Sequence, residues 1–309
     1  MNNNNKNTGA VIIAAGKKFS VHEFQALTKV GAITSARRII LTLQQAGVYP
    51  IVLVLGKNAE EVERQLAFMD VIFLRNEDYD NTEMFDSAKI GLNFIKDKCE
   101  RVIFTRVDIS LVTIETIKKI KSIQKQIVSP TYSGKTGHPL LINSEIIDDI
   151  LSYKGNDGMR GAIKNKDFQR AWIEVTDEGI LYNVDELDCY DSLLENHNMQ
   201  ILHPYIKINI EKEVSFFDSR AKLLLILLND TGSVKSACKQ MALSYSNAWN
   251  IINNIEKELG YSIVDRKHGG KRGGETKLNS KGLDFLKKYI QYEKSVRDYA
   301  NEEFKKRFL

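Results

Sequence analysis

Residues 244–278 read SYSNAWNIINNIEKELGYSIVDRKHGGKRGGETKL, and this stretch predicts one helix followed by a β-hairpin. Ser244 is placed to cap the helix, because its hydroxyl can accept hydrogen bonds from the free amides of the first turn. Gly260 predicts the helix end, since glycine is favoured at that position. Four apolar residues recur at spacings of 4, 3 and 4, which indicates a helix face turned to a core. They are Ala248, Ile252, Ile255 and Leu259.

The polar residues of this helix fall mostly outside the apolar face. They are Ser246, Asn247, Asn250, Asn253 and Lys257. Hydroxyl and amide side chains can pair with base edges, and cations meet phosphates. The hairpin strands are predicted at 261–264 and 276–278, around a turn rich in glycine. The hairpin carries five cations, Arg266, Lys267, Lys271, Arg272 and Lys277. This pattern favours double-stranded DNA as a partner, although for the helix alone an ordinary solvated surface fits equally well.

The preceding segment supports the DNA interpretation. Residues 233–241 predict a short helix with Ala237 and Met241 facing inward, and a tight link of three residues joins it to the next helix. Helix, short turn, helix and hairpin in this order are typical of a winged helix-turn-helix DNA-binding domain.

The length of 309 residues indicates two domains. Hydrophobic residues make up 43% and charged residues 27%, as in ordinary globular proteins. Without an apolar run of about 18 residues, no membrane partner is expected. Three isolated cysteines fit reduced thiols and a cytoplasmic location. We expect a disordered polar N-terminus at 1–9, a first domain at 10–200, a linker at 201–210 and a mainly α second domain at 211–309.

Positive charge is concentrated in the second predicted domain. Residues 211–309 contain 19 Lys and Arg against 13 Asp and Glu, whereas the rest of the chain has 25 against 27. A basic excess confined to one domain is expected where that domain meets a phosphate backbone.

The first domain predicts an α/β, doubly wound Rossmann-like fold. Residues 10–15, AVIIAA, form a continuous apolar run typical of a strand buried on both faces of a parallel sheet. Predicted strands and helices alternate from there to residue 105. Ligands of such folds bind beyond the carboxyl ends of the strands. The site is therefore expected near Gly16, Gly56, Asn76 and Asp108.

An ordered series of short motifs resembles the molybdenum cofactor nucleotidyltransferases between residues 10 and 197. The series comprises AVIIAAG at 10–16, ARRIILTLQQAGV at 36–48, Arg75-Asn76, DSAKIGL at 86–92, FTRVDISLVTIETI at 104–117, Gly137-His138-Pro139, GNDGMR at 155–160 and NVDELDCY at 183–190. The resemblance implies a nucleotidyltransferase fold and transfer of a nucleotidyl group from CTP or GTP to molybdopterin, with release of pyrophosphate.

The resemblance also implies roles for individual residues. Asp108 and Asp185 are implied to hold a divalent metal, Mg²⁺. The implied nucleotide-binding residues are Ala14, Ala15, Gly16, Lys17, Lys18 and Asn76. Gly137, His138 and Pro139 are implied to lie on the substrate side. From the residues alone, each aspartate is more simply explained as a strand terminus, and a histidine before proline is more often a turn residue than a ligand.

Three positions depart from the family pattern. The family has an arginine four residues and a lysine nine residues after the first glycine, where this chain has Ser20 and Gln25. Ser110 replaces the proline that usually follows the metal aspartate. Paired cations bind phosphates through strong charge-assisted hydrogen bonds. Their replacement favours a pocket that binds its ligand without turning it over.

The second domain resembles the DNA-binding domain of ModE-type molybdate-responsive regulators, which is related to the LysR winged helix. The resemblance rests on SVKSACKQMALSYSNAWNIINNIEKELG at 233–260, on GGKRGG at 269–274 and on LNSKGL at 278–283. A last helix is predicted at 281–307 with Leu283, Leu286, Ile290 and Tyr299 among charges. It fits a dimerisation helix and a helix packed on its own domain equally well, and a homodimer is expected because helix-turn-helix proteins bind paired half-sites.

Two interpretations follow. The first is a DNA-binding transcriptional regulator whose first domain binds a nucleotide or a molybdopterin-like small molecule. The second is an active, Mg²⁺-dependent cytidylyltransferase that carries a DNA-binding domain. The missing loop cations favour the first, and Asp108 and Asp185 keep the second open. A protein-interaction module without either activity is disfavoured by the basic hairpin.

Overall fold

The computed structural model describes residues 7–15, 25–182, 190–267 and 275–308. The chain divides into two compact units, residues 1–202 and 203–309. The finer limits expected from the sequence, with a linker at 201–210, stay a prediction. Among the described residues, no helix is both long and apolar enough to cross a bilayer.

The first unit contains ten strands and seven α-helices within its described residues. The strands are β1 (Thr8–Ala14), β2 (Lys29–Val30), β3 (Ile33–Thr34), β4 (Ile51–Leu55), β5 (Ile72–Arg75), β6 (Arg101–Arg106), β7 (Ile127–Tyr132), β8 (Lys135–Thr136), β9 (Leu140–Asn143) and β10 (Arg170–Glu174). The helices are α1 (Ser35–Gln45), α2 (Ala59–Leu66), α3 (Met84–Ile95), α4 (Ile114–Ser122), α5 (Ile147–Leu151), α6 (Gly158–Lys164) and α7 (Tyr190–Gln200).

One mixed sheet forms the centre of this unit. Its strand order is β10-β7-β9-β6-β1-β4-β5, and β8 pairs with β7. The strands β6, β1, β4 and β5 run parallel to one another, whereas β9 is antiparallel to both β6 and β7. Every residue of β4 is buried, as its continuous apolar sequence predicts. The predicted α/β class with mostly parallel strands is confirmed.

Helix α3 packs very closely on β1 and β4. A Cβ atom at Gly91 would lie 2.5 Å from Val11 Cγ1 and 2.9 Å from Val54 Cγ2. Only glycine fits at such a distance, so Gly91, one of the motif positions, has a packing role in this fold.

The second unit is a helical domain with a hairpin. Its elements are β11 (Ile210–Glu211), β12 (Ser215–Phe217), α8 (Ser219–Thr231), α9 (Val234–Gln240), α10 (Tyr245–Leu259), β13 (Val264–Lys267), β14 (Glu275–Leu278) and α11 (Ser280–Phe308). Strands β13 and β14 pair antiparallel. The helix and hairpin predicted from residues 244–278 are both present, although the first strand begins at Val264 rather than at residue 261.

The apolar face predicted for α10 enters the core. Ala248, Ile252 and Ile255 are fully buried, and Leu259 is partly buried at the helix end. Ser244 caps the helix by accepting a hydrogen bond from the backbone N–H of Asn247. Gly260 ends it with a φ of +75°, in the left-handed region where glycine is least strained.

Helix α11 is packed along its first half only. Gly282, Leu286, Tyr289 and Glu293 are buried, whereas no residue from 294 to 308 is buried. Ile290 and Tyr299, two residues of the predicted apolar stripe, are 41% and 67% exposed.

Candidate functional site

Four parallel strands end side by side at one edge of the sheet. The register pairs Ile13 of β1 with Arg106 of β6, and Leu55 of β4 with both Ala14 and Arg75. Ala14, Asn76 and Asp108 therefore lie at the carboxyl edge of the sheet, where the sequence predicted a site. Four other predicted site residues, Gly16, Lys17, Lys18 and Asp185, lie outside the described residues.

Asp108 follows β6 and is clamped by an arginine of that strand. Arg106 Nε donates to Asp108 Oδ1 at 3.0 Å, and Arg106 Nη2 donates to Oδ2. The Asp108 side chain is 0% exposed, whereas the Arg106 side chain is 27% exposed. Such a two-point pair uses both carboxylate oxygens, which are the atoms that a metal would need. Among the described residues, no group of three or more His, Cys, Asp or Glu side chains is arranged to hold a metal ion. Asp108 in this arrangement does not fit the role of metal ligand that the family resemblance implies.

His138 is brought to the same edge by the segment between β8 and β9. Its backbone N–H donates to the carbonyl of Ile180 at 2.9 Å, and its ring lies 6.3 Å from the ring of Phe104. Burial, and then the positive charge of Arg106, lower the pKa of His138 to about 4. The imidazole is therefore neutral at pH 7, and its buried Nδ1 has no hydrogen-bond partner among the described residues. A neutral nitrogen of this kind can accept a hydrogen bond from a ligand.

The neighbours of His138 have packing roles. A Cβ at Gly137 would lie 2.4 Å from the carbonyl oxygen of Ile180, so only glycine fits there. Pro139 is buried. The predicted substrate-side segment thus offers one side chain with hydrogen-bonding capacity, that of His138.

Asn76 is buried, and it organises its own loop. Its Nδ2 donates to Thr82 Oγ1 at 2.8 Å and to Ser87 Oγ at 2.9 Å, while its Oδ1 accepts from the backbone N–H of Asp78. These bonds fix the segment between β5 and α3. The nucleotide-binding role predicted for Asn76 stays a prediction. In this geometry Asn76 would contribute to binding indirectly, by fixing the shape of the loop.

A cavity of about 460 Å³ lies beside this loop, at the carboxyl ends of β4 and β5. It is lined by Gly56, Asn58, Arg64, Arg75, Asn76 and Tyr79, among others. The guanidinium of Arg75 is bound at two points by the buried Glu63, at 2.7 Å and 2.6 Å. This hydrogen bond, and the negative charge behind it, raise the pKa of Arg75 above its ordinary value.

A buried network joins α7 to α1. Arg38 donates to the carbonyl of Val30 at 2.7 Å, to Asn198 Oδ1 at 2.8 Å and to His197 Nδ1 at 3.0 Å. Because Nδ1 accepts, the proton of the neutral ring lies on Nε2, which is 3.2 Å from the carbonyl oxygen of Val112. Burial, and then the charge of Arg38, lower the pKa of His197 to about 4.

In the second unit, α10 presents a polar face to solvent. The side chains of Ser246, Asn247, Asn250, Asn253 and Lys257 are all exposed, as the sequence predicted. Helix α9 precedes them, with Ala237 and Met241 buried as predicted. This geometry leaves amide and hydroxyl groups available along one helix face beside the hairpin.

The hairpin is fastened to α10 by Arg266. Its guanidinium donates to Glu256 Oε2 at 2.9 Å and to Asn253 Oδ1 at 3.2 Å, and it lies 4.6 Å from the centre of the Trp249 ring. Glu256 Oε1 also accepts from the backbone N–H groups of Ile263 and Val264. Glu256, on α10, therefore bonds both the backbone at the start of β13 and the Arg266 side chain. These contacts hold the first hairpin strand against the helix.

The other predicted cations differ in their surroundings. Lys277 pairs with Glu275 at 2.5 Å, whereas Lys257 lies 4.0 Å from Glu258 and is 80% exposed. Lys267 belongs to β13, where its backbone is opposite Glu275. Lys271 and Arg272 lie outside the described residues. The DNA-contact roles of all five stay predictions.

Sequence reasoning missed two features of these sites. Arg106 stands two residues before Asp108, and opposite charges at that spacing are a signal that could have indicated the clamp. Tyr245 and Trp249 are one helical turn apart and meet edge to face at 6.2 Å. An aromatic pair on the polar side of an amphipathic helix could have been recognised from its spacing.

Comparison with known proteins finds ModE regulators among the relatives of this chain. The transcriptional regulator ModE of Yersinia pestis is 34% identical over 74 residues, which are 24% of this chain and 28% of that protein. The DNA-binding transcriptional dual regulator ModE of Escherichia coli K12 is 32% identical over 74 residues, with the same coverage. The chain thus spans little more than a quarter of the length of these two relatives.

Solved structures resemble the chain over a larger share. A nucleotidyl transferase from Methanothermobacter thermautotroptrophicus has a TM-score of 0.52 at 19% identity, and the match covers 62% of this chain and 99% of that one. A 4-diphosphocytidyl-2C-methyl-D-erythritol synthase from Anaerococcus prevotii has a TM-score of 0.50 at 13% identity, with 63% and 97% covered. At these identities the likeness concerns the fold.

The family comparison covers more than half of the chain. A family model for the MobA-like NTP transferase domain matches residues 10–171, which include most of β1, the pair of Arg106 with Asp108, and His138. The chain therefore belongs to the family of proteins with a MobA-like NTP transferase domain.

Proposed function

We propose that this protein is a DNA-binding transcriptional regulator of the ModE type whose first unit binds a nucleotide or a molybdenum-cofactor-related ligand. The observation that carries the proposal is the exposed polar face of α10, which follows α9 through a short link and lies beside a hairpin. This is the order of elements in a winged helix-turn-helix domain. The partial ModE relatives support the same assignment.

The face of α10 supplies the chemistry of base recognition. Asn250 carries a donor and an acceptor, and an amide can bond the paired N6 and N7 groups of adenine. Asn253 offers its Nδ2 donor, since its Oδ1 accepts from Arg266. Ser246 and Asn247 lie in the first turn, the part of a recognition helix that reaches base edges. Lys257, in the last turn, is placed for a phosphate contact.

Arg266 and the hairpin supply the second part of the interface. The contacts of Arg266 with Glu256 and Trp249 fix where β13 leaves the helix. The glycine-rich segment between β13 and β14 contains Lys271 and Arg272 in the sequence, and both are proposed to meet phosphates. Helix and hairpin therefore have separate roles, in which the helix selects sequence and the hairpin provides affinity that falls with salt.

The first unit is proposed to bind the regulatory ligand at the carboxyl edge of its sheet. Ala14 and Ala15 precede the predicted phosphate loop, and His138 offers a neutral nitrogen at the same edge. Lys17 and Lys18 are the proposed phosphate cations. The ligand is proposed to be a nucleotide or a molybdopterin-like molecule, since the family resemblance implies those two substrates.

A homodimer is proposed from the exposed apolar side chains of α11. Ile290, Tyr292 and Tyr299 are 41%, 56% and 67% exposed. A second copy of the chain is the proposed occupant, because a symmetric DNA site requires two helix-turn-helix units. The double variant Ile290→Glu/Tyr299→Glu is expected to sediment as a monomer, whereas Tyr205→Glu, on an exposed tyrosine elsewhere, is expected to leave the dimer intact. A monomeric wild type in the presence of its DNA site would contradict the proposal.

The DNA proposal is tested with the full-length chain and random genomic duplexes over a series of salt concentrations. Affinity should fall steeply with salt, and Lys271→Ala/Arg272→Ala should weaken binding to all sequences alike. Asn250→Ala should instead blur the preferred sequence. Lys125→Ala/Lys164→Ala removes the same charge from the first unit and serves as the control. If neither test variant changes binding, the assignment of helix and hairpin is wrong.

The alternative function is an active molybdenum cofactor cytidylyltransferase that carries a DNA-binding unit. The position of Asp108 after β6, at the carboxyl edge of the sheet, favours it. The protein would be mixed with Mg²⁺, nucleoside triphosphates and molybdopterin, and pyrophosphate would be measured. Pyrophosphate release that disappears in Asp108→Asn would establish the alternative, whereas no release is expected for a ligand-binding regulator.

A further inference from the structure

The position of the family's metal ligand holds an internal ion pair in this chain. Both oxygens of Asp108 accept hydrogen bonds from Arg106, and the carboxylate has no exposed surface. The partner that reaches the surface at this point is Arg106, whose side chain is 27% exposed. A ligand that approaches the carboxyl end of β6 therefore meets the arginine of this pair rather than the carboxylate.

We propose that Arg106 takes the place of a divalent cation at Asp108, so that the first unit binds its phosphorylated ligand without metal. This inference rests on the proposed function, since it describes how the regulatory ligand is bound. Mg²⁺ prefers oxygen ligands in octahedral geometry and gives up its water reluctantly. To reach Asp108 it would have to displace a two-point, charge-assisted pair, which is among the strongest side-chain contacts in proteins.

An arginine at this position suits anion binding. The guanidinium remains charged at every physiological pH, and its planar donors match phosphate oxygens as well as carboxylates. Asp108 fixes the plane of the group, which reduces the entropy lost when a ligand binds. The neutral ring of His138 lies beside this charge and adds an acceptor, its buried Nδ1, which has no partner in the described part of the chain.

The same arrangement explains how the fold can bind a nucleotide and yet not transfer it. Nucleotidyl transfer depends on a metal that polarises the reacting phosphate and stabilises the leaving pyrophosphate. An arginine supplies charge and hydrogen bonds, but the rigid pair with Asp108 leaves that carboxylate unable to coordinate. The unit is thereby suited to sensing rather than to catalysis.

The first test uses Mn²⁺ alone, detected by electron paramagnetic resonance, on the full-length chain. In the wild type we expect no saturable Mn²⁺ site at Asp108, so Asp108→Asn should leave Mn²⁺ binding unchanged. Arg106→Gln should uncover one Mn²⁺ site, and Arg106→Gln/Asp108→Asn should lose it again. Arg101→Gln is the matched control, because Arg101 is a buried arginine at the other end of β6 whose partners are the carbonyls of Lys121 and Ile123.

Two results would overturn the inference. One is a Mn²⁺ site in the wild type that disappears in Asp108→Asn. The other is an Arg106→Gln protein that is folded by circular dichroism and still takes up no Mn²⁺.

The second test needs no variant and compares CTP and GTP binding by calorimetry in Mg²⁺ and in EDTA. Mg²⁺ binds free nucleoside triphosphates in solution, so a site that takes the metal-free nucleotide should bind at least as tightly in EDTA as in Mg²⁺. Binding that requires Mg²⁺ would overturn the inference. If neither nucleotide binds in either buffer, the nucleotide part of the proposed function fails, while the Mn²⁺ titration still decides whether Arg106 excludes the metal.

Discussion

The charged and polar side chains of the two units have opposite surroundings. At the carboxyl edge of the first unit, Arg106 and Arg75 are each bound at two points by a carboxylate. On α10 of the second unit, Asn250 and Lys257 face solvent. A surface that must meet an unknown partner keeps its polar groups available, whereas a pocket that must keep its shape binds them internally.

The internal pairs also have different consequences in the two units. In the first unit, Arg106 bonds both oxygens of a buried carboxylate at the edge of the sheet. In the second unit, the pair between Arg266 and Glu256 holds β13 against α10 and leaves Asn250 exposed. An internal pair can therefore either cover a polar group or position its neighbours.

Breaking the buried ion pair of the second unit should have the largest effect on stability. Lys222 on α8 bonds Glu293 on α11 at 2.8 Å, and both side chains are less than a tenth exposed. Burial alone would raise the pKa of Glu293, but Lys222 and Arg297 hold it below its ordinary value. Lys222→Met leaves a buried carboxylate with one partner and should cost about 3–5 kcal/mol of unfolding free energy.

The fluorescence of Trp249 measures this loss in a Trp172→Phe background, because the chain contains two tryptophans. The double variant Lys222→Met/Glu293→Leu serves as the control, and it should recover most of the stability, since a well-packed apolar pair often replaces a buried ion pair without loss. Equal destabilisation by the single and the double variant would show that the pair is not the cause.

A pH titration tests the buried network of Arg38 and His197 in the first unit. The pKa of His197 is lowered from 6.5 to about 4, so the unfolded state binds more protons between those values. Stability is therefore complete above pH 6.5, declines as the pH falls toward 4, and at pH 5 has lost about 2 kcal/mol through this residue. Hydrogen exchange of residues 35–45, which form α1, is the measurement.

His197→Gln provides the comparison, because an amide can still donate to the carbonyl of Val112 but does not titrate. Its exchange rates in α1 should depend less on pH than those of the wild type. An identical pH dependence in the two proteins would assign the effect to another group, such as His138.

The fold was largely predictable from local patterns, because strand burial on both faces and helical periodicity can be recognised from residues that are close together in the sequence. The apolar run of β1, the cap at Ser244 and the glycine after α10 are examples that the structure confirms. Asn58 directly precedes α2, and an asparagine at that position predicts a helix cap whose side chain bonds the first turn. The N-cap position is confirmed, but the side-chain bond is not. Asn58 has a φ of 56° and makes no side-chain cap bond, because it lies in a left-handed turn that bridges to Gly56.

The sites were less predictable, because they depend on pairs that the chain brings together or on the direction of a side chain. The sequence placed Asp108 at the correct edge but did not indicate that Arg106 would cover it. The contact of Arg38 with His197 joins residues 159 positions apart, and no local pattern could reveal it. The exposed face of α10 was predictable, since it is the complement of a helical apolar stripe.

Separating the hairpin from α10 should have an intermediate effect. Glu256→Ala removes the acceptor for Arg266 and for the N–H groups of Ile263 and Val264. Bonds to a charged group contribute about 1.5–3 kcal/mol, so DNA affinity measured by fluorescence anisotropy should fall about tenfold or more if the hairpin position matters. Glu256→Gln keeps one acceptor oxygen and should lose less. Similar affinities for both variants and the wild type would mean that the hairpin does not depend on this connection.

The smallest effects are expected on the exposed polar face of α10, where they distinguish base recognition from phosphate contact. Asn250→Ala should cost about 1–3 kcal/mol on the preferred duplex and little on an unrelated one, because an amide that pairs with a base is specific. Lys257→Ala should weaken both duplexes alike and reduce the salt slope by about 1, since one fewer phosphate is neutralised. Affinities for the two duplexes across a salt series provide the measurement. If Lys257→Ala changed the sequence preference and Asn250→Ala changed only the salt slope, the division of α10 into reading and phosphate-contacting residues would have to be reversed.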